Sequence, residues 1–358
     1  MKNSKIIAFL MIVLSSFLFT QCTSEYEPIA GPAGADGTDG IDGVDGIAGT
    51  DAEATCVACH SNTHREPING SFDVSKHGSG FTFSFTSARG GDDPTNRCAQ
   101  CHGEQGYLDY INMGEAMDGY DAPSPISCTT CHDKHSTFDF ENDGFDFALR
   151  TFDPVTLVLD PSYTLDFGNT SNNCITCHQP RSSYPIPADD GTGLYEVTSS
   201  RFGPHHGPQS TMLEGILGAN VPGSEGYPGI ASSTHRQASS CTQCHMASSD
   251  DINEGLHSWN INLATTNACV ACHPTGAPDQ IAGFDTDMAT LKQLLNDIGI
   301  IVDDPGPNRS TPGTYPVKQA QAAWNYMTLL EDSSKGIHNP AYTKALLKNS
   351  IEAVQVSK

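Results

Sequence analysis

Cys128-Thr129-Thr130-Cys131-His132-Asp133-Lys134-His135 is the stretch that decides how the rest of the chain is read. Cys-x-x-Cys-His is the spacing used for covalent attachment of haem c. Two thiols one helical turn apart can each add across a vinyl group of the porphyrin. The histidine next in line then turns its imidazole to the iron as proximal ligand. His135 lies three residues beyond His132, which predicts that both imidazoles leave the same side of a short helix. Two rings on one side cannot sandwich one iron, so His135 is expected to serve a neighbouring haem.

The pattern recurs at Cys56-Val57-Ala58-Cys59-His60, Cys98-Ala99-Gln100-Cys101-His102, Cys174-Ile175-Thr176-Cys177-His178, Cys241-Thr242-Gln243-Cys244-His245 and Cys269-Val270-Ala271-Cys272-His273, six copies in all. A shuffled chain of this content would carry on the order of 0.02 copies. The copies consume every cysteine but Cys22. Zinc sites also use Cys-x-x-Cys pairs, but they need four ligands and give no reason for a histidine after every pair. Disulfides suit an exported chain, yet six tight loops each followed by histidine would be an odd framework. The motifs resemble those of multihaem c-type cytochromes, and the resemblance runs from about residue 54 to 358. It implies six covalently bound haem c groups, with His60, His102, His132, His178, His245 and His273 as proximal iron ligands.

What fills the sixth position of each iron decides the function. Of the 14 histidines, six are proximal, which leaves His64, His77, His135, His205, His206, His235, His257 and His338. Eight candidates for six positions allow every haem to be bis-histidine, a closed site suited to electron transfer rather than substrate chemistry. Ser75-Lys76-His77, Pro204-His205-His206-Gly207-Pro208-Gln209, Thr234-His235-Arg236 and Gly255-Leu256-His257-Ser258 each resemble segments that supply distal ligands in multihaem cytochromes. The expected distal set is His77, His135, His206, His235, His257 and His338, with His64 and His205 as spares. A Gly-x-His-Asn-Pro segment such as that around His338 can also serve as a hydrogen-bonding helix start. Methionine could substitute as a ligand: Met246 directly follows a proximal histidine and points the wrong way, leaving Met113, Met117 and Met212.

Composition agrees with a cofactor-filled interior. Only 37% of the 358 residues are apolar, while glycines number 34 and prolines 22. That is thin material for an ordinary core, and buried porphyrins would supply the missing apolar surface. The fold class expected is mainly α with much irregular structure, short helices around a haem chain followed by C-terminal helices. A formal charge of −24, deepened by haem propionates, makes nucleic acid a poor partner and favours cationic ones.

The N-terminus reads as an address. Lys2 and Lys5 precede an apolar run from Ile6 to Leu14, short for a membrane span and right for a secretory signal. Cys22 follows, so residues 1–21 are expected to be a lipoprotein signal with Cys22 lipidated, although Gln21 departs from the usual small residue there. Glu25 and Glu27 resemble the surface-export tags of some Gram-negative lipoproteins. From Gly31 to Thr50 glycine recurs at every third place, the collagen period. With one proline and many aspartates, the stretch reads as a self-repelling spacer rather than a triple helix. Residues 22–53 are therefore anchor and spacer.

Residues 54–278 form the expected haem domain. Its proximal histidines stand 42, 30, 46, 67 and 28 residues apart, too unequal for a tandem repeat. Loop-like sequence dominates between them. Phe81 to Thr86 and Thr156 to Leu159 alternate as strands would. Residues 279–358 change character. Met288, Leu291, Leu294 and Leu295 fall at helical spacing within Asp285 to Ile298. Pro316 begins a second helix through Leu330, and Pro340 a third through about Val354. Ala323-Trp324-Asn325-Tyr326 and Lys335-Gly336-Ile337-His338-Asn339-Pro340 resemble the closing helices of the cytochrome c nitrite reductase and hydroxylamine oxidoreductase superfamily, which implies that this segment packs on the haem domain.

Three functions are in view. The first is single-electron transfer through six bis-histidine haems, from redox partner proteins or to extracellular acceptors. The chain would sit as an outer-membrane lipoprotein, touching the membrane through lipid alone. The second is reduction of nitrite, hydroxylamine or a sulfur oxyanion at an open iron, for which the usual Cys-x-x-Cys-Lys marker is lacking. The third is a homopolymeric extracellular filament, as the resemblance to filament-forming hexahaem cytochromes implies. No residue is expected to perform acid–base catalysis in the first, and no catalytic residue is singled out.

Overall fold

The computed structural model describes residues 54–79, 98–117, 120, 124–139, 142, 147–181, 184–188, 193–247, 257–262, 268–304 and 306–356. The signal segment, Cys22, the Gly-x-y spacer and the Phe81 to Thr86 alternation lie outside the described residues. One compact unit spans Cys56–Lys358.

Within it the helices before residue 250 are short. They are α1 (Ala54–His60), α2 (Asn62–Asp73), α3 (Ala99–His102), α4 (Glu104–Met113), α5 (Cys128–Cys131), α6 (Ser171–Ile175), α7 (Gln209–Glu214), α8 (Thr234–Ala238) and α9 (Cys241–His245). Three long ones follow: α10 (Phe284–Asp297), α11 (Val317–Asp332) and α12 (Pro340–Val356). The strands are brief antiparallel pairs, β1 (Val155–Thr156) with β2 (Thr164–Leu165), β3 (Leu194–Val197) with β6 (Gly313–Pro316), and β4 (Ile301–Val302) with β5 (Arg309–Ser310). The fold is mainly helical with much irregular structure.

The apolar periodicity places the long helices to within a residue or two. Leu291 and Leu295 on α10 are fully buried, with Met288 and Leu294 packed beside them. Asn339 begins α12, its side-chain oxygen accepting from Tyr342 N–H at 3.1 Å. In α11, Trp324 is fully buried and donates its indole N–H to the Leu217 carbonyl at 3.1 Å. Asn325 brackets Ala219, accepting from its N–H and donating to its carbonyl, both at 2.8 Å. The C-terminal helices thereby fix the 217–219 loop.

Two local expectations are corrected. The strand expected over Thr156 to Leu159 stops at Thr156. The chain turns at Asp160-Pro161-Ser162, and Val158 N–H is claimed by Gln179 Oε1 at 2.8 Å instead of a ladder partner. Nor do His132 and His135 share a helix face. α5 ends at Cys131, and His132 takes up extended backbone, bridging Leu149. Arg150 N–H captures the Cys131 carbonyl and Asp133 N–H bonds to the Ala148 carbonyl, both at 2.8 Å, so helical bonding cannot continue.

Candidate functional site

The motifs share one local geometry. The histidine N–H bonds back to the carbonyl of the first cysteine in His102, His132 and His178 at 2.9 Å and in His273 at 2.8 Å, while His60 and His245 end helices α1 and α9. One turn of this kind puts both thiols on one face. Ser240 caps α9, and Ser127 caps α5 within a capping box completed by Thr130. Glu104 at the start of α4 then clamps α5, accepting from Thr129 Oγ1 at 2.9 Å and Thr130 Oγ1 at 3.2 Å. Among the described residues the motif cysteines form no disulfide.

Motifs distant in sequence touch. Gln100 donates to the Thr176 carbonyl at 3.0 Å, and Cys177 Sγ approaches the Gln100 carbonyl at 3.5 Å. Thr170 bonds Thr242 at 2.8 Å and Ser171 Oγ accepts from Cys241 N–H at 3.0 Å. Cys174 and Cys177 are pushed up, each by its bond to a neighbouring thiol, Cys241 and Cys101 respectively, and then by burial. The fourth motif, Cys174 to His178, is thus the hub on which the second and fifth motifs abut.

The imidazoles meet in twos. His60 faces His135 with ring centroids 6.0 Å apart, His178 faces His77 at 5.9 Å, and His132 faces His257 at 6.2 Å. His273 faces His235 at 6.2 Å and His245 faces His338 at 6.3 Å. Every pair joins a motif histidine to one from the expected distal set. A metal sits about 2 Å from each ligating imidazole nitrogen, so two rings on opposite sides of one iron place their centroids roughly 6 Å apart. The residues therefore fit the group. Among the described residues no cluster of three or more His, Cys, Asp or Glu gathers as a bare metal cage.

Partners on the other ring nitrogen aim these rings. Nδ1 of His132 lies 2.8 Å from the Phe147 carbonyl, that of His235 2.5 Å from the Ile337 carbonyl and that of His245 3.2 Å from the Trp259 carbonyl. His178 Nδ1 is 3.3 Å from Gln209 Oε1. His338 Nδ1 meets Asp332 at 2.7 Å, and His206 Nδ1 meets Glu331 at 2.6 Å. Fixing Nδ1 in this way leaves Nε2 as the nitrogen available to a metal, the usual outer-shell arrangement of a ligating histidine. Two consecutive acids at the end of α11 thus hold two different distal candidates.

Burial favours the neutral, ligating form in four of these rings. His77 is pushed down to about 4 by burial and then by His178, and His257 to about 4 by burial and then by His132. Burial also lowers His178 and His245. For His338 burial pulls the same way, but the Asp332 carboxylate overrides it and the net shift is upward. His206 is raised by its bond to Glu331.

The second motif differs from the rest. His102 is lowered by burial, then by His206 and Arg181 nearby. His205, pushed down to about 4 by burial and Arg181, stacks beside His206 with centroids 4.4 Å apart. Both adjacent histidines therefore stand within electrostatic reach of His102, and among the described residues no ring faces it at the 6 Å spacing. His64 lies exposed on α2. Sequence reasoning missed Glu331, Asp332, Gln209 and Trp259 as supports of the ligand set. An acid pair ending a helix carries no signal until the helix is placed beside the histidines.

No family model matches the chain, and no curated protein does. Among solved structures it is similar to the crystal structure of outer cell wall cytochrome OcwA, at 18% identity and a TM-score of 0.49, over 80% of this chain and 50% of that one. The chain spans about half the length of the cytochrome it matches. Among the described residues no helix is long and apolar enough to cross a membrane.

Proposed function

We propose that the chain is a multihaem c-type cytochrome that passes single electrons through six haems, in transfer across the cell envelope or to an extracellular acceptor. The observation that carries this reading is the set of five imidazole pairs at 5.9–6.3 Å, each joining a Cys-x-x-Cys-His histidine to a remote one. A haem, when bound, supplies a one-electron iron couple. The chain does the rest. Its motif cysteines would tether the group, its paired histidines would ligate the iron, and the Nδ1 acceptors would fix ring orientation and ligand basicity. Contact between the second, fourth and fifth motifs keeps neighbouring sites close enough for hopping. His206, held by Glu331, is assigned to His102 because it lies within electrostatic reach of it and the other five expected distal histidines are already paired. Lipid on Cys22 and the Gly-x-y spacer tether the protein at the outer-membrane surface, and its acidity suits cationic redox partners.

Intact mass and spin state of the exported protein test this reading. Six haem additions with wholly low-spin ferric spectra are expected; an unmodified mass would end it. A second reading, reduction of a small oxyanion at an open iron, draws on His102 alone, which has two adjacent candidates rather than one ring squarely opposite. Carbon monoxide uptake by the reduced protein at a single site would favour it.

A further inference from the structure

Trp259 meets three of the imidazole pairs at once. Its indole stands edge-to-face against His77, with centroids 4.4 Å apart and planes at 87°, and against His257 at 5.4 Å and 73°. Its carbonyl is the acceptor opposite His245 Nδ1 at 3.2 Å. These histidines belong to different pairs: His77 with His178, His257 with His132, and His245 with His338. Phe72 on α2 meets the indole edge-to-face at 6.1 Å and 76°, and Ser71 Oγ accepts from His257 N–H at 3.3 Å. Trp259 also holds φ at 51°, a left-handed backbone that a bulky side chain rarely adopts without being over-determined by its surroundings. An edge-to-face aromatic contact restricts ring rotation, and rotation about the metal–nitrogen axis is the freedom left to an imidazole once its Nε2 is engaged.

We infer that Trp259 is a shared positioning residue: its indole fixes the ring planes of His77 and His257, and its carbonyl fixes His245, so that one residue sets the ligand geometry of the third, fourth and fifth motif centres together. This rests on the haem reading above. The left-handed backbone explains how side chain and carbonyl of one residue serve different neighbours, since it turns the carbonyl away from the course an extended segment would give it.

The test is electron paramagnetic resonance of the haem-loaded full chain, comparing the parent with Trp259→Asn and Trp259→Phe. Asparagine tolerates the left-handed backbone and deletes the ring; phenylalanine keeps an aromatic face. Expected for Trp259→Asn are shifted signals from the His77/His178 and His132/His257 centres and a smaller shift from His245/His338. The His60/His135 and His273/His235 signals should stay unmoved, and Trp259→Phe should restore part of the change. A Trp259→Asn spectrum that superposes on the parent overturns the inference, as does a uniform shift of all the centres in both variants. A parent protein lacking bis-imidazole low-spin signals would instead sink the haem reading itself.

Discussion

Asp332 offers a direct measure of how the chain tunes a single centre. Its carboxylate is 1% exposed and meets His338 Nδ1 at 2.7 Å, and it also accepts the Ser334 hydroxyl. Asp332→Asn keeps the shape and can keep an oxygen against the ring, but it removes the charge. A hydrogen bond to a charged group contributes about 1.5–3 kcal/mol, a neutral one about 0.5–1.5 kcal/mol, so the substitution takes about 1–1.5 kcal/mol from the contact. The carboxylate draws the Nδ1 proton toward itself and makes the imidazole a stronger donor, which favours ferric over ferrous iron. Its loss therefore raises the potential of that centre. If the whole difference acts on the ferric state, the rise is about 45–65 mV, since about 59 mV corresponds to a tenfold change for one electron. Spectroelectrochemical titration of the loaded protein reads it directly: one centre moves upward and the others stay in place. A superimposable titration, or a downward shift, would refute the idea that the buried acid sets the ligand's basicity.

Three further outcomes follow from the same geometry. His135→Ala removes the ring 6.0 Å from His60, so one ferric signal should turn high-spin and the reduced protein should bind carbon monoxide at one site; unchanged spectra would mean the pair is wrongly drawn. Ring planes cross at 79° for His60/His135 and 83° for His77/His178 but at 38° for His132/His257 and 48° for His245/His338. Crossed planes leave the iron's two π-type orbitals nearly equal in energy and tilted-parallel planes split them, so resonance at low temperature should resolve two classes of low-spin signal. Trp324→Ala empties the largest fully buried core position and orphans the Leu217 carbonyl; a loss of about 3–5 kcal/mol is expected from urea unfolding of the loaded chain, with haem content unchanged.

The expected attachment points and ligand inventory could be read from the sequence because both are local. Cys-x-x-Cys-His is complete within five residues, and periodic leucines announce a helix before anything is folded. Pairing is different in kind. His77 meets His178 and His338 meets His245 only through tertiary placement, and spacing along the chain says nothing about it. His135 shows the gap plainly. The expectation that it serves another centre rests on a shared helix face that the structure does not show, because Arg150 and Asp133 turn that segment into extended backbone; its ring lies beside that of His60. Trp259, Glu331 and Asp332 were silent for the same reason: each acts on a ring that folding alone brings beside it, Trp259 partly through a backbone atom, and residue type does not advertise that.

The distribution of buried apolar side chains bears on how such a molecule is assembled. Among the described residues before Val155, the buried apolar ones are Cys98, Ala99, Tyr107 and Ala116, whereas Trp324, Tyr342, Phe202 and their neighbours build a conventional protein interior from residues between 197 and 354. On the function proposed above, the front of the chain would emerge first during export with few buried apolar side chains of its own among the described residues, and so would stay open to the enzymes that attach porphyrin. The part of the chain from residue 197 onward would carry its own apolar interior and hold Glu331 and Asp332 beside His206 and His338. Maturation would then proceed from a scaffold laid down last toward metal sites laid down first, with the closing helices acting as the mould against which the loaded front half sets.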